Sequence, residues 1–167
     1  VQAEELARRH RDNFGLGEMY VTRCQISVGS SDFDTAMHYM NDAIRVGQEN
    51  KAREQIAWGL DHLSGTYAFM LRFDEAEPIA AEGMALSIEI GNREYQAGIF
   101  TTQGLLHWRR GDLEAAIHAE TQGAETAAMI GLVAMVVIGD WGAAWMQWQR
   151  GEYEPAIHHL QRAQAYA

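Results

Sequence analysis

The chain has 167 residues, of which 47% are apolar and 22% charged, with a formal net charge of −10 and a single cysteine, Cys24. That length allows one domain-sized core burying roughly 70% of the surface the unfolded chain exposes. The acidic balance leaves no basic footprint for a nucleic-acid backbone, and a lone cysteine excludes a disulfide frame and a cysteine-type zinc site and fits a reduced, cytoplasmic setting.

No charged, apolar and small-residue leader opens the chain, and the longest apolar run, "MIGLVAMVVIG" at 129–139, falls short of the roughly 18 residues a bilayer span needs, so no membrane association is expected. A start on Val1 and a stop on Ala167 inside an amphipathic run read as an excerpt from a longer protein.

In chain order, Ala3–Asn13 reads as the end of a helix, with Leu6 corresponding to Leu86. Four helical runs of a first kind follow, at Phe14–Val28, Glu54–Leu71, Glu94–Arg110 and Leu132–Arg150. Each ends in a short polar or glycine turn, "GSSD", "RF", "RGD" or "RGE", and a helix of a second kind begins. The second helices repeat in strict register: Phe33, Phe73, Leu113 and Tyr153 stand forty apart. So do Ala36, Ala76, Ala116 and Ala156, and the further set Ala43, Gly83, Gly123 and Ala163. The small residues three positions after the Phe/Leu/Tyr site, and seven positions after that, share one helical face, as they must where two helices approach closely. The first helices carry their own small residue twelve positions before each alanine: Cys24, Ser64, Gly104 and Ala144.

Two places strain this pattern. Pro78 falls inside the second helix of the second copy, where an interior proline costs about 3 kcal/mol. We therefore expect that helix to start late, with Asp74 and Glu77 forming a reciprocal cap and Pro78 in the first turn. The β-branched run "VAMVVI" at 133–138 could form a buried strand, but the register runs through it into Trp141, Trp145 and Trp148, so helix is expected.

The spacing of small and aromatic residues resembles the tetratricopeptide repeat family, best in the copy "LDHLSGTYAFMLRFDEAEPIAAEGMALSI" at 60–88, where Ser64, Tyr67 and Ala76 stand in the family's order. The usual period there is 34 residues; a period of forty is similar to the longer helical-repeat tails of large bacterial signal-transduction ATPases, transcription activators and adenylate cyclases. The aromatic position is filled by Ser27, His107 and Gln147 in the other copies. The resemblance implies an all-α fold, a right-handed α-α superhelix of about four antiparallel helix pairs. The repeats would run 14–53, 54–93, 94–131 and 132–167, with 1–13 closing a preceding one. It also implies a concave wall built by the first helices. Groove-facing positions carried over from the family are Val21, Gln25, Val28 and Gly29; Asp61, Gly65, Ala68 and Phe69; Thr101, Leu105, Trp108 and Arg109; and Trp141, Trp145, Trp148 and Gln149. Trp58 falls on the same side, one turn earlier.

Indoles combine a large apolar area with an N–H donor, which suits the anchoring of a peptide or flat ligand, although an aromatic stripe at helical spacing is more often core. Asp61 and Arg109 would add polar specificity. The expected function is thus a protein- or peptide-binding scaffold within a larger regulatory or signalling protein, holding a basic or apolar segment or another domain of its parent chain in the groove. The alternative is a structural module for self-association, as a homodimer, or for domain docking without a separable ligand.

Nothing points to catalysis. His118 and His158 each follow a glutamate by four residues, Glu114 and Glu154, but equivalent positions on neighbouring repeats lie a helix spacing apart, 8–10 Å or more, and no His-Glu-x-x-His motif is present. These read as exposed pairs, with His159 also facing solvent. Cys24 fills a small-residue slot and reads as a buried hydrophobe. No serine or cysteine has a motif-placed His and acid, and there is no Gly-rich phosphate loop, so neither an enzyme activity nor a cofactor or metal is expected.

Overall fold

The computed structural model describes residues 2–10 and 12–166, and for residues 2, 3, 13, 14, 18, 21 and 25 the backbone alone. Among these residues the chain forms helices only: α1 (Gln2–His10), α2 (Asn13–Gly29), α3 (Phe33–Asn50), α4 (Arg53–Phe69), α5 (Phe73–Ile90), α6 (Arg93–Arg109), α7 (Leu113–Met129), α8 (Val133–Gln149) and α9 (Tyr153–Tyr166). The second helices of the pairs, α3, α5, α7 and α9, start on Phe33, Phe73, Leu113 and Tyr153, as the register requires. The β-branched run at 133–138 is helical, inside α8.

The forty-residue period is itself two steps of twenty. Left-handed residues fall at Ser31, Lys51, Leu71, Gly91, Gly111, Gly131 and Gly151, one per turn. At each turn the next amide donates five residues back, from Asp32 to the Ser27 carbonyl through to Glu152 to the Gln147 carbonyl, which closes the preceding helix and reverses the chain. Asp12, Asp32, Asn92 and Asp112 then cap the following helix by accepting from the amide of its third residue, at 2.9–3.2 Å.

Packing follows the small residues. Among the described residues every helix lies against its chain neighbours, and in addition α4 packs on α6 and α6 on α8, with no comparable packing of α2 on α4 or among the second helices. Cys24, Ser64, Gly104 and Ala144 on the first helices are buried, as are Ala36, Ala76, Ala116 and Ala156 on the second. A side chain of ordinary size at these sites would hold the backbones apart. Burial pushes the Cys24 thiol up to about 11, consistent with an inert packing residue.

The late start expected of α5 does not occur. Helix α5 begins on Phe73, Pro78 lies within it, and its N-cap, Arg72, makes no side-chain cap bond. Asp74 and Glu77 form no reciprocal cap; Glu77 is paired with Arg110 of the next repeat. Holding Ala76, Ala80 and Gly83 in the buried seam requires a helix from Phe73 onwards, and that packing outweighs the one backbone bond Pro78 cannot make.

Candidate docking surface

The tryptophans follow from helical spacing. Trp141, Trp145 and Trp148 sit on successive turns of α8, and Trp108 occupies the place of Trp148 one repeat earlier, on α6. The Trp108 and Trp145 rings lie 5.3 Å apart, and Trp145 is nearly parallel to Trp141 at 6.4 Å. The Trp108 Nε1–H reaches Gln149 Oε1 at 3.5 Å across the same pair of helices. Trp141 and Trp148 are each 60% exposed and Trp145 37%, whereas Trp108 is half-buried. Three of the four indoles border a cleft of 360 Å³ between α8 and α9, floored by Ala144 and Ala156 and completed by Tyr153, Ile157 and Leu160. The indoles therefore gather at the α8/α9 end of the array.

The other expected groove positions scatter. Phe69 is exposed at the end of α4, and Arg109 is exposed with its guanidinium 5.8 Å from the Phe73 ring centroid. Leu105 is half-buried against the cluster of Ala76, Ala80 and Ile99, and the half-buried Thr101 has a buried hydroxyl without a hydrogen-bond partner. Asp61 tucks against Gly98 of α6, where a Cβ would lie 2.5 Å from Oδ1; burial, and then the charge of Glu94, hold its pKa well above the ordinary carboxylate range. Gly65 is half-buried, Ala68 is buried, and Val28, Gly29 and Gln149 are exposed; the side chains of Val21 and Gln25 lie outside the described residues.

Trp58 does not face a groove. It is 8% exposed, packed in the core cluster with Tyr20, Met40 and Leu63, and stacked at 4.4 Å on His62, whose Nδ1 contacts the Trp58 carbonyl at 3.0 Å. Burial lowers the His62 pKa. Trp58 stands three residues before Asp61, which leaves it about 60° round the helix from the groove register, on the side that meets the core.

His159 is a second correction. Its side chain is half-buried, and Nδ1 donates to Asp140 Oδ1 at 2.7 Å, while Arg162 donates to both oxygens of the same carboxylate, from Nε to Oδ2 at 2.7 Å and from Nη2 to Oδ1. Asp140 is fully buried in α8, so this clasp joins α8 to α9 beside the indole cleft. No sequence signal marked it, because Asp140 occupies the place of Tyr20, Leu60 and Phe100 in the other copies. His118 and His158 are exposed.

Glu120 of α7 was equally hidden. It is buried, its Oε2 has no hydrogen-bond partner, and its carboxyl fills the space that Gly104 of α6 and Gly142 of α8 leave open: a Cβ at either would come within 2.6–2.7 Å of it. Desolvation pushes its pKa up to about 8, so near neutral pH it is mostly a neutral acid. Among the described residues no group of three or more His, Cys, Asp and Glu side chains could hold a metal ion, and no helix is long and apolar enough to cross a membrane.

No protein-family model matches the chain, and no curated protein matches it in sequence. Its fold is shared with solved structures. One is BtubC (BKLC) from P. vanneervenii, with a TM-score of 0.72 at 15% identity over 92% of this chain. The chain spans 64% of the length of that protein. At this identity the likeness concerns the fold alone, an all-α array of packed helices.

Proposed function

We propose that this chain is a tetratricopeptide-like helical-repeat module of a larger regulatory protein, and that it binds a protein or peptide segment on its indole-bearing face. The packing of α4 on α6 and of α6 on α8, without equivalent packing among the second helices, favours a superhelix curved towards the first helices, with the indoles at one end of its inner side. The observation that carries the reading is the exposure of Trp141, Trp145 and Trp148 around an apolar cleft in direct contact with Trp108. Together with Tyr153, Ile157 and Leu160 they present on the order of 600 Å² of surface, at the upper end of the largest apolar patches of soluble monomers, and such patches mark interaction sites. The net charge of −10 favours segments with basic flanks.

A peptide library displayed on phage tests this. Selected peptides should shift and saturate the tryptophan fluorescence, and should lose binding to the Trp145→Ala and Trp148→Ala variants. Peptides that bind those variants as well as the parent protein would refute the assignment.

A further inference from the structure

One step of the array is built unlike the others. Where Met40, Ala80 and Leu160 place apolar side chains in the other pairs, α7 carries Glu120. Its carboxyl is wedged between α6 and α8: a Cβ at Gly104 would lie 2.6 Å from Oε1, and one at Gly142 2.7 Å from Cδ. Among the described residues, the three helices that meet here each bury one polar side-chain atom without a hydrogen-bond partner: Thr101 Oγ1 on α6, Glu120 Oε2 on α7 and Gln147 Oε1 on α8. Buried polar atoms are nearly always paired, so three of them around one step mark a contact that is closed without being satisfied.

Among the described residues no cation compensates the acid. On α6, Arg93 and Glu94 are exposed in the first turn, Tyr95 packs towards the core cluster of α2 to α4, His107 faces Glu77 and Ala80 of α5, and Arg109 lies over Phe73. Asp140, the titratable residue of α8, is clasped by His159 and Arg162 of α9, and on α7 itself Glu114, His118 and Glu125 are exposed. Desolvation alone governs Glu120, which stays neutral while the step is closed and can ionise at low cost only where water reaches it.

The two ends of the step differ. At its start, Ala97 of α6, Ala127 of α7 and Val136 of α8 form a buried apolar cluster, with Leu132 and Met135 packed around it. At its far end the Trp108 and Trp145 rings meet at 5.3 Å. Trp108 stands eleven residues beyond Ala97, about 16 Å along α6.

We infer that the α6/α8 step is a proton-operated hinge: loss of the Glu120 proton draws water between α6 and α8, the apolar cluster serves as the pivot, and Trp108 swings away from Trp145. Protonation stabilises the closed form, so the step is shut in mildly acid solution and opens as the pH rises through about 8. The device belongs to the packing of the array and does not depend on what docks at the indole face.

The test is a near-ultraviolet circular dichroism titration of the whole chain from pH 6 to pH 9, read as the tryptophan signal. Trp108→Phe identifies the part of that signal due to Trp108. Glu120→Gln and Glu120→Met, the second carrying the residue of the first pair, remove the proton-binding group in two ways, so that one misfolded variant does not decide the outcome. The parent should lose the Trp108 part of the signal with a midpoint near pH 8 while its helical far-ultraviolet signal stays unchanged. Neither Glu120 variant should show the transition, although both retain Asp61 and the His62–Trp58 stack. A parent signal that is flat from pH 6 to pH 9 would overturn the inference, as would a transition kept by both Glu120 variants or one that Trp108→Phe leaves intact. Loss of helix at the same midpoint would also overturn it, because the event would then be unfolding. Each of these outcomes leaves the docking function to be decided by the peptide library.

Discussion

Glu120→Gln should stabilise the protein, and by more as the pH rises. The carboxyl is buried in the slot between Gly104 and Gly142, with its pKa raised from 4.5 in the unfolded chain to about 8 in the folded one. The folded state then binds the proton more tightly, so stability is full below pH 4.5, declines from there to about pH 8, and stays low above that. At 1.36 kcal/mol per unit, the 3.5 units between 4.5 and 8 correspond to about 3 kcal/mol lost at pH 7 and about 5 kcal/mol at pH 9. Glutamine keeps the shape of the side chain and removes the charge. Thermal melts of the two proteins should differ by roughly 10 °C at pH 7, converge near pH 4.5 and diverge further at pH 9. Comparing variant with parent cancels the contributions of Asp61, whose raised pKa acts in the same direction, and of His62, whose lowered pKa acts in the opposite one. Melting curves of variant and parent that run parallel from pH 5 to 9 would refute the argument, because they would mean that the carboxyl is solvated or paired.

Arg162→Ala should cost about 3 kcal/mol in urea unfolding, since it leaves the fully buried Asp140 with only the His159 N–H of its clasp, whereas Arg45→Ala, at an exposed pair with Asp42 and Glu49, should cost under about 1 kcal/mol. Pro78→Ala should stabilise by about 1–3 kcal/mol, because α5 is helical on both sides of it and the new N–H has a carbonyl waiting at Asp74; no gain in thermal melts would mean that the helix is kinked there. Replacing Ser31, Lys51 or Leu71 by glycine should each add about 1 kcal/mol by relieving a positive φ of 58–60°, and the three should be additive because they sit in separate turns.

The array itself was legible in the amino-acid order. A close approach of two helices tolerates only small side chains, so Cys24, Ser64, Gly104 and Ala144 and their partners on the second helices recur at fixed intervals and announce the helix pairs, their register and their buried seam. Turn geometry was legible in part, since the glycines of "RGD" and "RGE", Gly111 and Gly151, take a positive φ without a Cβ in the way, whereas Ser31, Lys51 and Leu71 fill the same left-handed position with no such mark. The direction of individual large or charged side chains was not. Trp58 turned inward, His159 turned to Asp140, and Glu120 found its slot only because Gly104 and Gly142, on two different helices, leave it space. Pro78 stayed in mid-helix because the seam on either side of it was worth more than its missing bond. Periodicity within one chain segment reports backbone spacing; which cavity a given side chain enters depends on what neighbouring helices leave unfilled, and that is settled only when they pack.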